Sequence, residues 1–260
     1  MNLSKNTILI TGGSTGIGLE LAKQLTLKGN TVIVTGRDQK KLDLAKSALP
    51  KIHTYQSDVS DSKAILTLYS AVTEKFPDLN ILINNAGIMR TINLHDTSGT
   101  LDNLSQEIEI NLMGPIHMVK QFLPHLKKKS TAAIVNVTSG LAFTPLPTSP
   151  VYSCAKAGLH SYTQSLRVQL KNTSIKVFEL APPVTETALL GDFDLEDMKG
   201  ITIMKLDAMV AVAMAGFEKD QLEIRPGQSN QLKFMSRLAP QFILNQMSKP
   251  VDRMLISMND

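Results

Sequence analysis

The sequence predicts a single α/β domain whose doubly wound, mostly parallel, seven-stranded sheet carries helices on both faces. Seven short apolar runs, rich in β-branched residues, alternate with longer helical patterns along residues 1–260. The first run leads through a glycine-rich loop directly into a helix, the order found in parallel strand–helix–strand units. The chain is 43% hydrophobic, which is ample for one core of this size.

The individual elements follow from hydrophobic periodicity and from breaker residues. Strands are predicted at 7–11, 31–35, 52–56, 80–84, 132–138, 175–180 and 221–224. The main helices are predicted at about 17–28, 101–127, 150–172 and 205–217. Asn111 interrupts the second of these helices, because its side chain competes for backbone hydrogen bonds. A local kink is expected there, and a tolerated polar residue is the alternative.

Two segments towards the C-terminus, about 185–205 and 225–260, are predicted to lie outside the sheet and its connecting helices. Residues from about 185 to 205 combine small, acidic and apolar types with two glycines, which predicts a mobile lid over a pocket. The C-terminal extension, about 225–260, places Met and Phe at helical spacing, a pattern typical of a core or a subunit interface. A weak peripheral membrane contact is the less favoured alternative, because Pro240 interrupts the apolar face and basic residues are few.

The composition indicates a soluble cytoplasmic protein that does not bind nucleic acid. The net charge is only +4, from 27 basic and 23 acidic residues spread along the chain. No apolar run approaches the ~20 residues that a membrane span requires. The first predicted strand begins at Thr7, so no signal peptide is expected, and a single cysteine excludes an internal disulfide.

The glycine-rich loop after the first strand is typical of a pyrophosphate site. Gly12, Gly16 and Gly18 permit a tight turn and a close approach of the backbone. The helix that follows presents free N–H groups and a partial positive charge to an anion. The loop's position directly after the first strand therefore indicates a dinucleotide cofactor.

The end of the second strand indicates which dinucleotide is bound. Arg37 follows the strand directly, and an arginine there favours the 2′-phosphate of NADP(H). Asp38 is the counter-argument, since a carboxylate favours the free hydroxyl of NAD(H), but it also suits the start of the next helix. We therefore predict NADP(H), with NAD(H) possible. After the third strand, Asp58 is expected either to accept a hydrogen bond from the adenine or to cap a helix.

Asparagines at the end of the fourth strand also need partners. Asn84 and Asn85 follow a buried run, and unpaired polar groups are costly inside a protein. We expect them to tie neighbouring strands together beneath the cofactor. Gly87 would let the backbone pass close to the ribose.

The stretch from Ser139 to Lys156 follows the fifth strand and carries three reactive groups. Ser149 and Pro150 are typical of a helix start. Tyr152 and Lys156 stand four residues apart on that helix, so their side chains share one face. A hydroxyl, a phenol and an ammonium are thus offered to one cleft at the carboxyl end of a strand, where open α/β sheets bind ligands.

Together these motifs resemble the short-chain dehydrogenase/reductase family, in its short single-domain branch with a Rossmann-type fold, over nearly the whole chain. Thr11-Gly-x-x-x-Gly16-x-Gly18 matches the family's cofactor loop, and Asn84-Asn-Ala-Gly87 matches its strand-four motif. The catalytic tetrad is matched by Asn111, Ser139, Tyr152 and Lys156. The resemblance, together with the motifs above, implies cofactor binding by Gly12, Ser14, Thr15, Gly16, Ile17, Gly18, Arg37, Asp58, Val59, Asn85, Ala86, Gly87, Tyr152, Lys156, Pro182, Val184 and Thr187.

Two departures from the family pattern lie around the substrate pocket. The family's Pro-Gly after strand six is Pro182-Pro183 here. The tail, with Glu223-Ile-Arg-Pro-Gly-Gln-Ser, resembles a DltE-like group of bacterial oxidoreductases. The resemblance does not supply the substrate of that group.

The chemistry implied is hydride transfer between a nicotinamide and a carbonyl or alcohol, with Tyr152 as acid and base. A free phenol has a pKa near ~10, so we expect the charge of Lys156 and of the oxidised nicotinamide to lower it. Lys156 would also hold the nicotinamide ribose, Ser139 would orient the carbonyl and Asn111 would position a water. A non-catalytic NADP(H)-binding sensor or scaffold is the alternative.

The expected pocket is apolar, which favours a hydrophobic aldehyde, ketone or alcohol. Its lining is predicted to be Ile88, Met89, Leu141, Phe143, Leu146, Val184 and Leu189. Arg90 is expected to be solvated at the rim, with attraction of an acidic group as the alternative. Cys154 is expected to be a small buried residue without a catalytic role. No metal site is expected. The long helices and the family resemblance imply a homodimer or homotetramer.

Overall fold

The computed structural model describes residues 1–96, 100–187 and 202–256 of the chain, and within them all seven predicted strands form one sheet. The strands are β1 (Thr7–Thr11), β2 (Thr31–Gly36), β3 (His53–Gln56), β4 (Leu79–Asn84), β5 (Ala132–Val137), β6 (Ile175–Leu180) and β7 (Glu223–Ile224). Their order across the sheet is β3-β2-β1-β4-β5-β6-β7, and the strand pairs are all parallel. The winding reverses between β1 and β4, which opens a crevice at their carboxyl ends.

Helices connect these strands on both faces of the sheet. The helices are α1 (Gly16–Leu27), α2 (Gln39–Ala48), α3 (Ser62–Lys75), α4 (Leu101–Ile108), α5 (Gly114–Leu126), α6 (Pro150–Gln169), α7 (Leu206–Glu218), α8 (Gln228–Leu238), α9 (Pro240–Met247) and α10 (Lys249–Ile256). A 3₁₀ turn, Gly140–Ala142, follows β5. In the described part of the chain, no helix has both the length and the apolar character needed to cross a membrane.

Successive side chains along each strand point to opposite faces of the sheet, which produces two separate hydrophobic cores. Ile8 and Ile10 of β1 point to the face covered by α1, α2 and α7, whereas Leu9 points to the face covered by α3, α5 and α6. The other central strands alternate in the same way. Because both faces are covered, these strands consist almost wholly of buried apolar residues, as parallel sheets require.

The kink expected at Asn111 is confirmed. The predicted helix at 101–127 is divided into α4, a π-helical turn (Glu109–Met113) and α5. Single π turns inside α-helices frequently occur at functional sites. Here the turn directs the fully buried Asn111 towards the segment that follows β4.

The predicted lid and the C-terminal extension differ in what the structure describes. Of the lid, residues 188–201 lie outside the described residues. Its two ends are joined by a parallel bridge between Thr185 and Met204. The C-terminal extension forms α8, α9 and α10, where the sequence predicted a helical pattern interrupted at Pro240.

Candidate active site

A cavity of about 1360 Å³ opens at the carboxyl ends of the central strands. Of the residues predicted to bind the cofactor, those that line it are Gly12, Ser14, Thr15, Gly16, Ile17, Arg37, Asp58, Val59, Asn85, Ala86, Gly87, Tyr152, Lys156, Pro182, Val184 and Thr187. Ser139 lines it as well. Gly18 and Asn111 belong to the layer behind this surface. The fold thus brings residues from distant parts of the chain to one crevice.

The glycine loop is shaped by backbone geometry and by close packing. Gly12 and Gly16 have φ values of +63° and +52°, in the left-handed region that favours glycine. A Cβ atom on Gly18 would lie 2.4 Å from the Gly12 carbonyl oxygen and 2.5 Å from Asn85 Nδ2. Gly18 therefore lets α1 approach the loop and β4 more closely than any other residue would allow.

The N-terminus of α1 differs from those of the next two helices. Asp38 caps α2 and Asp61 caps α3, each accepting a backbone N–H in the first turn. At α1, Thr15 makes no such side-chain bond, and the first turn contains no acidic residue. The N–H groups of α1 thus remain directed at the cavity, an arrangement that fits a pyrophosphate.

The far end of the cavity is basic and polar. Arg37 and Lys41 line it, and Asp38 is engaged at the N-terminus of α2, as the sequence indicated. The buried hydroxyl groups of Thr35 and Ser57 also line it, and neither has a hydrogen-bond partner among the described residues. Such groups fit a polar ligand such as a phosphorylated adenosine. Sequence reasoning missed Lys41, although a basic residue four positions after Arg37 was a usable signal.

Asp58 lines the same end of the cavity without capping a helix. Its Oδ1 accepts hydrogen bonds from the Ser60 backbone N–H, at 2.9 Å, and from the Ser60 hydroxyl, at 2.7 Å. The cap of α3 is Asp61 instead. The alternative in which Asp58 caps the helix is therefore wrong, and its contact with adenine remains a prediction.

Asn84 and Asn85 connect strands beneath the cavity, as expected. Asn84 Nδ2 donates to Asn136 Oδ1 on β5 at 2.8 Å. Asn85 Nδ2 donates to the carbonyl oxygens of Thr11 and Gly12, each at 3.0 Å. The second set of bonds fixes the glycine loop to the end of β4.

The helix α6 carries Tyr152 and Lys156 into the middle of the cavity. Pro150 occupies its first turn and Ser149 its N-cap position, but the Ser149 side chain makes no capping bond. Lys156 Nζ lies 5.6 Å from the centre of the Tyr152 ring and donates to the Val137 carbonyl oxygen at 3.0 Å. The predicted common face of the helix is therefore present.

Ser139 completes this group of side chains from the end of β5. Ser139 lies close enough to the Tyr152 phenol to act on its pKa, which it lowers against the larger effect of burial. Ser139 Oγ also accepts from the Leu141 backbone N–H at 3.1 Å, which anchors it at the start of the 3₁₀ turn. A hydroxyl, a phenol and an ammonium thus meet at one point, the combination suited to moving a proton at a carbonyl oxygen.

Taken together, the protein's own groups raise the pKa of the phenol, and the lowering expected with the oxidised nicotinamide stays a prediction. Burial raises the pKa of Tyr152 to about 12, and the charge of Glu107 acts in the same direction, while the Ser139 side chain opposes it. Burial also lowers the pKa of Lys156 to about 8. Desolvation disfavours the charged form of both groups.

Asn111 fixes the segment that follows Gly87. Its Oδ1 accepts from the Ile88 backbone N–H at 3.1 Å, and its Nδ2 donates to the Ile88 carbonyl oxygen at 2.8 Å. A Cβ on Gly87 would lie 2.8 Å from Asn111 Oδ1 and 3.5 Å from Lys156 Nζ. Gly87 thus allows the amide, the backbone and the ammonium to approach one another.

Glu107 is a buried acid that sequence reasoning missed. It is fully buried one turn before Asn111, and its Oε1 accepts from the Arg90 backbone N–H at 3.1 Å. Its Oε2 has no partner among the described residues, and burial raises its pKa. The signal available in the sequence was the spacing of four residues between Glu107 and Asn111, which predicts a shared helix face. In the structure the two side chains bond to Arg90 and Ile88, both in the segment after β4.

Several expectations for the substrate pocket need correction. The expected residues that line the cavity are Ile88, Met89, Leu141, Leu146 and Val184. Phe143 instead turns its ring edge-on to His160, with ring centroids 5.0 Å apart. Leu189 lies outside the described residues. Cys154 is exposed, not buried, because it faces away from the helix side that carries Tyr152.

Arg90 is not a free cation at the rim. Its Nη1 donates to the Asn103 carbonyl oxygen at 2.7 Å, and its Nη2 donates to Gln106 Oε1 at 2.5 Å. Both contacts are to α4. Arg90 therefore joins α4 to the segment after β4, where the sequence indicated a solvated side chain.

The C-terminal extension supplies a large share of the cavity wall, which sequence reasoning also missed. The residues that it contributes are Gln228, Gln231, Leu232, Met235, Ile243, Gln246, Met247, Lys249 and Pro250. Most are apolar or neutral amides. The sequence showed their helical spacing but not which surface they face.

Similarity to known proteins agrees with this geometry. Residues 6–197 match the family described as short chain dehydrogenase. The chain is 42% identical over 250 residues to the uncharacterized oxidoreductase DltE of Bacillus subtilis (strain 168), a match that covers 95% of this chain and 98% of that protein. Because it covers 95% of the chain, this similarity continues well past residue 197, where the family match ends.

Solved structures show the same fold. The short-chain dehydrogenase from Sphingobium yanoikuyae in complex with NADPH has a TM-score of 0.76 and 26% identity, over 84% of this chain and 87% of that one. The short chain dehydrogenase/reductase from Burkholderia phymatum in complex with NAD has a TM-score of 0.78 and 19% identity, over 90% and 93% of the two chains. With most of its length matched by the family's profile, this chain belongs to the short-chain dehydrogenase family of oxidoreductases.

Proposed function

We propose that this protein is an NADP(H)-dependent oxidoreductase that interconverts a carbonyl and an alcohol, with Tyr152 as the acid and base. The observation that carries the proposal is the meeting of Ser139, Tyr152 and Lys156 in the same cavity as the glycine loop. A protein that only sensed the nucleotide would have no use for this set of groups. Catalysis is therefore favoured over the alternative of a non-catalytic sensor.

The residues divide the work between binding and proton transfer. The nicotinamide, when bound, supplies or accepts the hydride. Tyr152 holds the proton that the carbonyl oxygen takes up, and Ser139 orients that oxygen by a hydrogen bond. Lys156 donates to the Val137 carbonyl oxygen, and it would hold the ribose and favour the phenolate when the cofactor is bound. Since the pKa of Tyr152 is about 12 in the protein's own field, we infer that positive charge brought by the oxidised cofactor is needed to lower it.

The preference for NADP(H) rests on charge at the far end of the cavity. Arg37, Asp38 and Lys41 all line it, and Asp38 Oδ1 accepts the Lys41 backbone N–H at the start of α2. Two cations suit a 2′-phosphate better than a 2′-hydroxyl, and the capping bond of Asp38 reduces its competition for the ribose. Among the structural neighbours, one complex contains NADPH and another contains NAD, so the fold accommodates both.

The substrate side of the cavity favours a largely apolar carbonyl compound or alcohol. Leucine, isoleucine and methionine side chains form most of this wall, from the segment after β4, the 3₁₀ turn and the C-terminal helices. Methionine adapts to irregular ligand shapes because its chain is unbranched and flexible.

Thermal unfolding with NADPH and with NADH, each over a concentration series, tests the cofactor part first. A nucleotide at 100 times its dissociation constant should stabilise the fold by about 2.7 kcal/mol. We expect a clear shift at lower concentrations of NADPH than of NADH. Preference for NADH would overturn the role of Arg37 and Lys41 and leave the oxidoreductase intact. No shift with either nucleotide would contradict the proposed function.

A further inference from the structure

Helix α8 packs directly on the turn that carries Ser139. A Cβ on Gly140 would lie 2.8 Å from Ser229 Oγ and 3.0 Å from Leu232 Cδ1. Ser229 is completely buried in this contact. Residues 139–142, here called the catalytic turn, therefore touch the first turn of α8 with no space for a single added carbon atom.

A partly buried ion pair holds the same face of α8 one turn further along, where Lys233 stands four residues after Ser229. Lys233 is only 8% exposed, and its Nζ donates to Glu223 Oε1 at the start of β7. The same carboxylate oxygen lies 3.3 Å from Arg225 Nη1. Lys233 Nζ also lies 4.9 Å from the centre of the Phe143 ring, directly after the catalytic turn. One ammonium thus contacts both the end of the sheet and the segment that follows Ser139.

This pair continues into a buried polar network behind the catalytic turn. His160, one turn after Lys156 on α6, has its Nδ1 2.9 Å from both carboxylate oxygens of Glu179. The Thr138 hydroxyl, next to Ser139 in the chain, donates to Glu179 Oε1 at 2.7 Å. Ligand atoms of His160, Glu179 and Glu223 lie within 4.8 Å of one another. Metal binding is disfavoured there, because Lys233 and Arg225 already balance the charge of Glu223.

An adjoining side of α8 faces the cavity, and Leu232 belongs to both sides. Gln228, Gln231, Leu232 and Met235 all line the cavity, and α9 and α10 follow from the end of the same helix. A shift of α8 would therefore move most of the substrate wall relative to Ser139. The cofactor side, formed by β1, β2 and β4, would not be affected.

We propose that Glu223 and Lys233 are positioning residues that dock α8 on the catalytic turn, and so fix the substrate wall relative to Ser139. This assigns a role to the tail motif Glu223-Ile-Arg-Pro-Gly-Gln-Ser, in which Glu223 supplies the anchor and Ser229 the contact with Gly140. The docking itself is independent of the proposed function, whereas its consequence for substrate binding rests on it.

Hydrogen–deuterium exchange of the full chain tests the docking without any substrate. In Lys233→Met, a residue of similar length cannot pair with Glu223, so the peptides 139–143 and 228–238 should exchange about tenfold faster. Peptides from β1 and α1 should be unchanged. Lys233→Arg keeps the charge and should restore slow exchange. Lys176→Met is the matched control, because it removes the exposed Lys176–Asp220 pair, 2.7 Å apart, near the same edge of the sheet.

Gly140→Ala provides a second route that leaves every charge in place. Its new Cβ would collide with Ser229 Oγ and should release the same two peptides. Adding Ser229→Gly removes that oxygen and should restore slow exchange. This pair of variants keeps the proposal testable even where Lys233→Met is too unstable to study.

Kinetics with NADPH and benzaldehyde as the probe provide a readout that a purely structural role would not move. Lys233→Met should raise the KM for benzaldehyde about tenfold while kcat changes less than threefold, because a displaced wall weakens binding more than chemistry. NADPH stabilisation in thermal unfolding should be unchanged. Lys233→Arg should return KM towards the wild-type value.

The outcomes separate the two proposals. Two results for Lys233→Met would overturn the docking proposal whether or not the protein is active. One is exchange that becomes faster evenly over the whole chain, and the other is exchange in 228–238 that does not become faster. Faster exchange confined to the two peptides, without a change in KM, would mean that the Glu223–Lys233 pair contributes only to stability, and would overturn its role in substrate binding. A wild-type protein that neither binds NADPH nor reduces any carbonyl would overturn the proposed function, and the exchange data would still decide the docking.

Discussion

The two sides of the cavity are built in different ways. The cofactor side consists of a glycine loop, strand ends and the open N-terminus of α1, with the side chains of Arg37 and Lys41 at its far end. The substrate side consists of side chains from α8, α9 and α10, from the segment after β4 and from the 3₁₀ turn, and a partly buried ion pair holds α8. Phe234, Leu238 and Phe242, on the outer surface of the same helices, are more than half exposed.

This difference indicates where the protein can vary. The cofactor side depends on glycine positions at which a single methyl group would meet backbone atoms within 3 Å. The substrate side depends on apolar side chains that could be exchanged for others of similar volume. We therefore expect substitutions on the first side to change nucleotide affinity and substitutions on the second to change substrate choice. Tyr152 lies between the two sides.

The largest effect is expected at this junction. Tyr152→Phe removes the only proton that the phenol can exchange, so kcat should fall about 10²–10⁴-fold. Folding and NADPH binding should persist, because the ring still fills its place. The readouts are turnover with benzaldehyde and thermal unfolding with NADPH. Tyr162→Phe, further along the same helix, is the matched control, and equal turnover in the two variants would contradict the role of Tyr152.

A nearly comparable effect is expected deep in the cofactor side. Gly18→Ala would place a Cβ 2.4 Å from the Gly12 carbonyl oxygen, and relief requires the loop or α1 to move. We expect a loss of stability of about 1–3 kcal/mol and loss of NADPH stabilisation. The comparison is Gly140→Ala on the substrate side, which should keep its NADPH shift. If both variants lost the shift equally, the two sides would not be independent.

At the adenosine end, a change of charge should alter affinity without affecting the fold. Arg37→Asp should weaken NADPH binding by about 10–100-fold, because charge-assisted bonds to the 2′-phosphate are lost. NADH binding should change little. Titrations with both nucleotides measure the ratio, and Lys40→Asp, a charge reversal nearby on α2, serves as the control. Equal losses for the two nucleotides would exclude a role of Arg37 in reading the phosphate.

A smaller effect on stability is expected from the buried ammonium. The folded pKa of Lys156 is about 8, below its ordinary 10.5, so the unfolded chain binds more protons between these values. Its contribution therefore makes the free energy of unfolding rise between pH 8 and 10, by on the order of 2 kcal/mol. Lys156→Met should lack this rise. Urea unfolding at pH 7 and 9.5 measures it, with Lys120→Met as an exposed control, and an identical pH slope in the wild type and Lys156→Met would contradict the burial argument.

The smallest effect is expected at Glu107, behind the junction. Its pKa is raised in the folded chain, so the ionised carboxylate reduces stability above its folded pKa. Glu107→Gln keeps an acceptor for the Arg90 N–H and should stabilise the protein at pH 7 by about 1 kcal/mol. It should also shift the pH profile of alcohol oxidation to lower pH, since a charge that raises the pKa of Tyr152 is removed.

Exposed Glu109→Gln is the matched control for that change. It carries the same substitution two residues along the chain, where the carboxylate is solvated. A pH profile that moved equally in both variants would show that the effect is general, and would separate Glu107 from the active site.

How much could be predicted differs between the two sides for a physical reason. The glycine loop could be predicted from local sequence patterns, because its strand, its left-handed glycines and its helix are neighbours in the chain. Tyr152 and Lys156 were likewise placed by helical spacing alone. Phe143 and Cys154 were predicted wrongly, since the direction of a side chain in an irregular turn or on a partly covered helix depends on packing partners far away in the chain.

The sequence by itself determined the seven-stranded α/β fold, the family and the meeting of the reactive groups at one crevice, because these follow from local periodicity and short motifs. Only the tertiary structure decided that Lys41 and Glu107 lie close to this crevice and that burial raises the pKa of Tyr152. It also decided that α8 rests on Gly140 while Lys233 reaches Glu223. These facts arise from desolvation and from contacts between segments far apart in the chain, which no local pattern records.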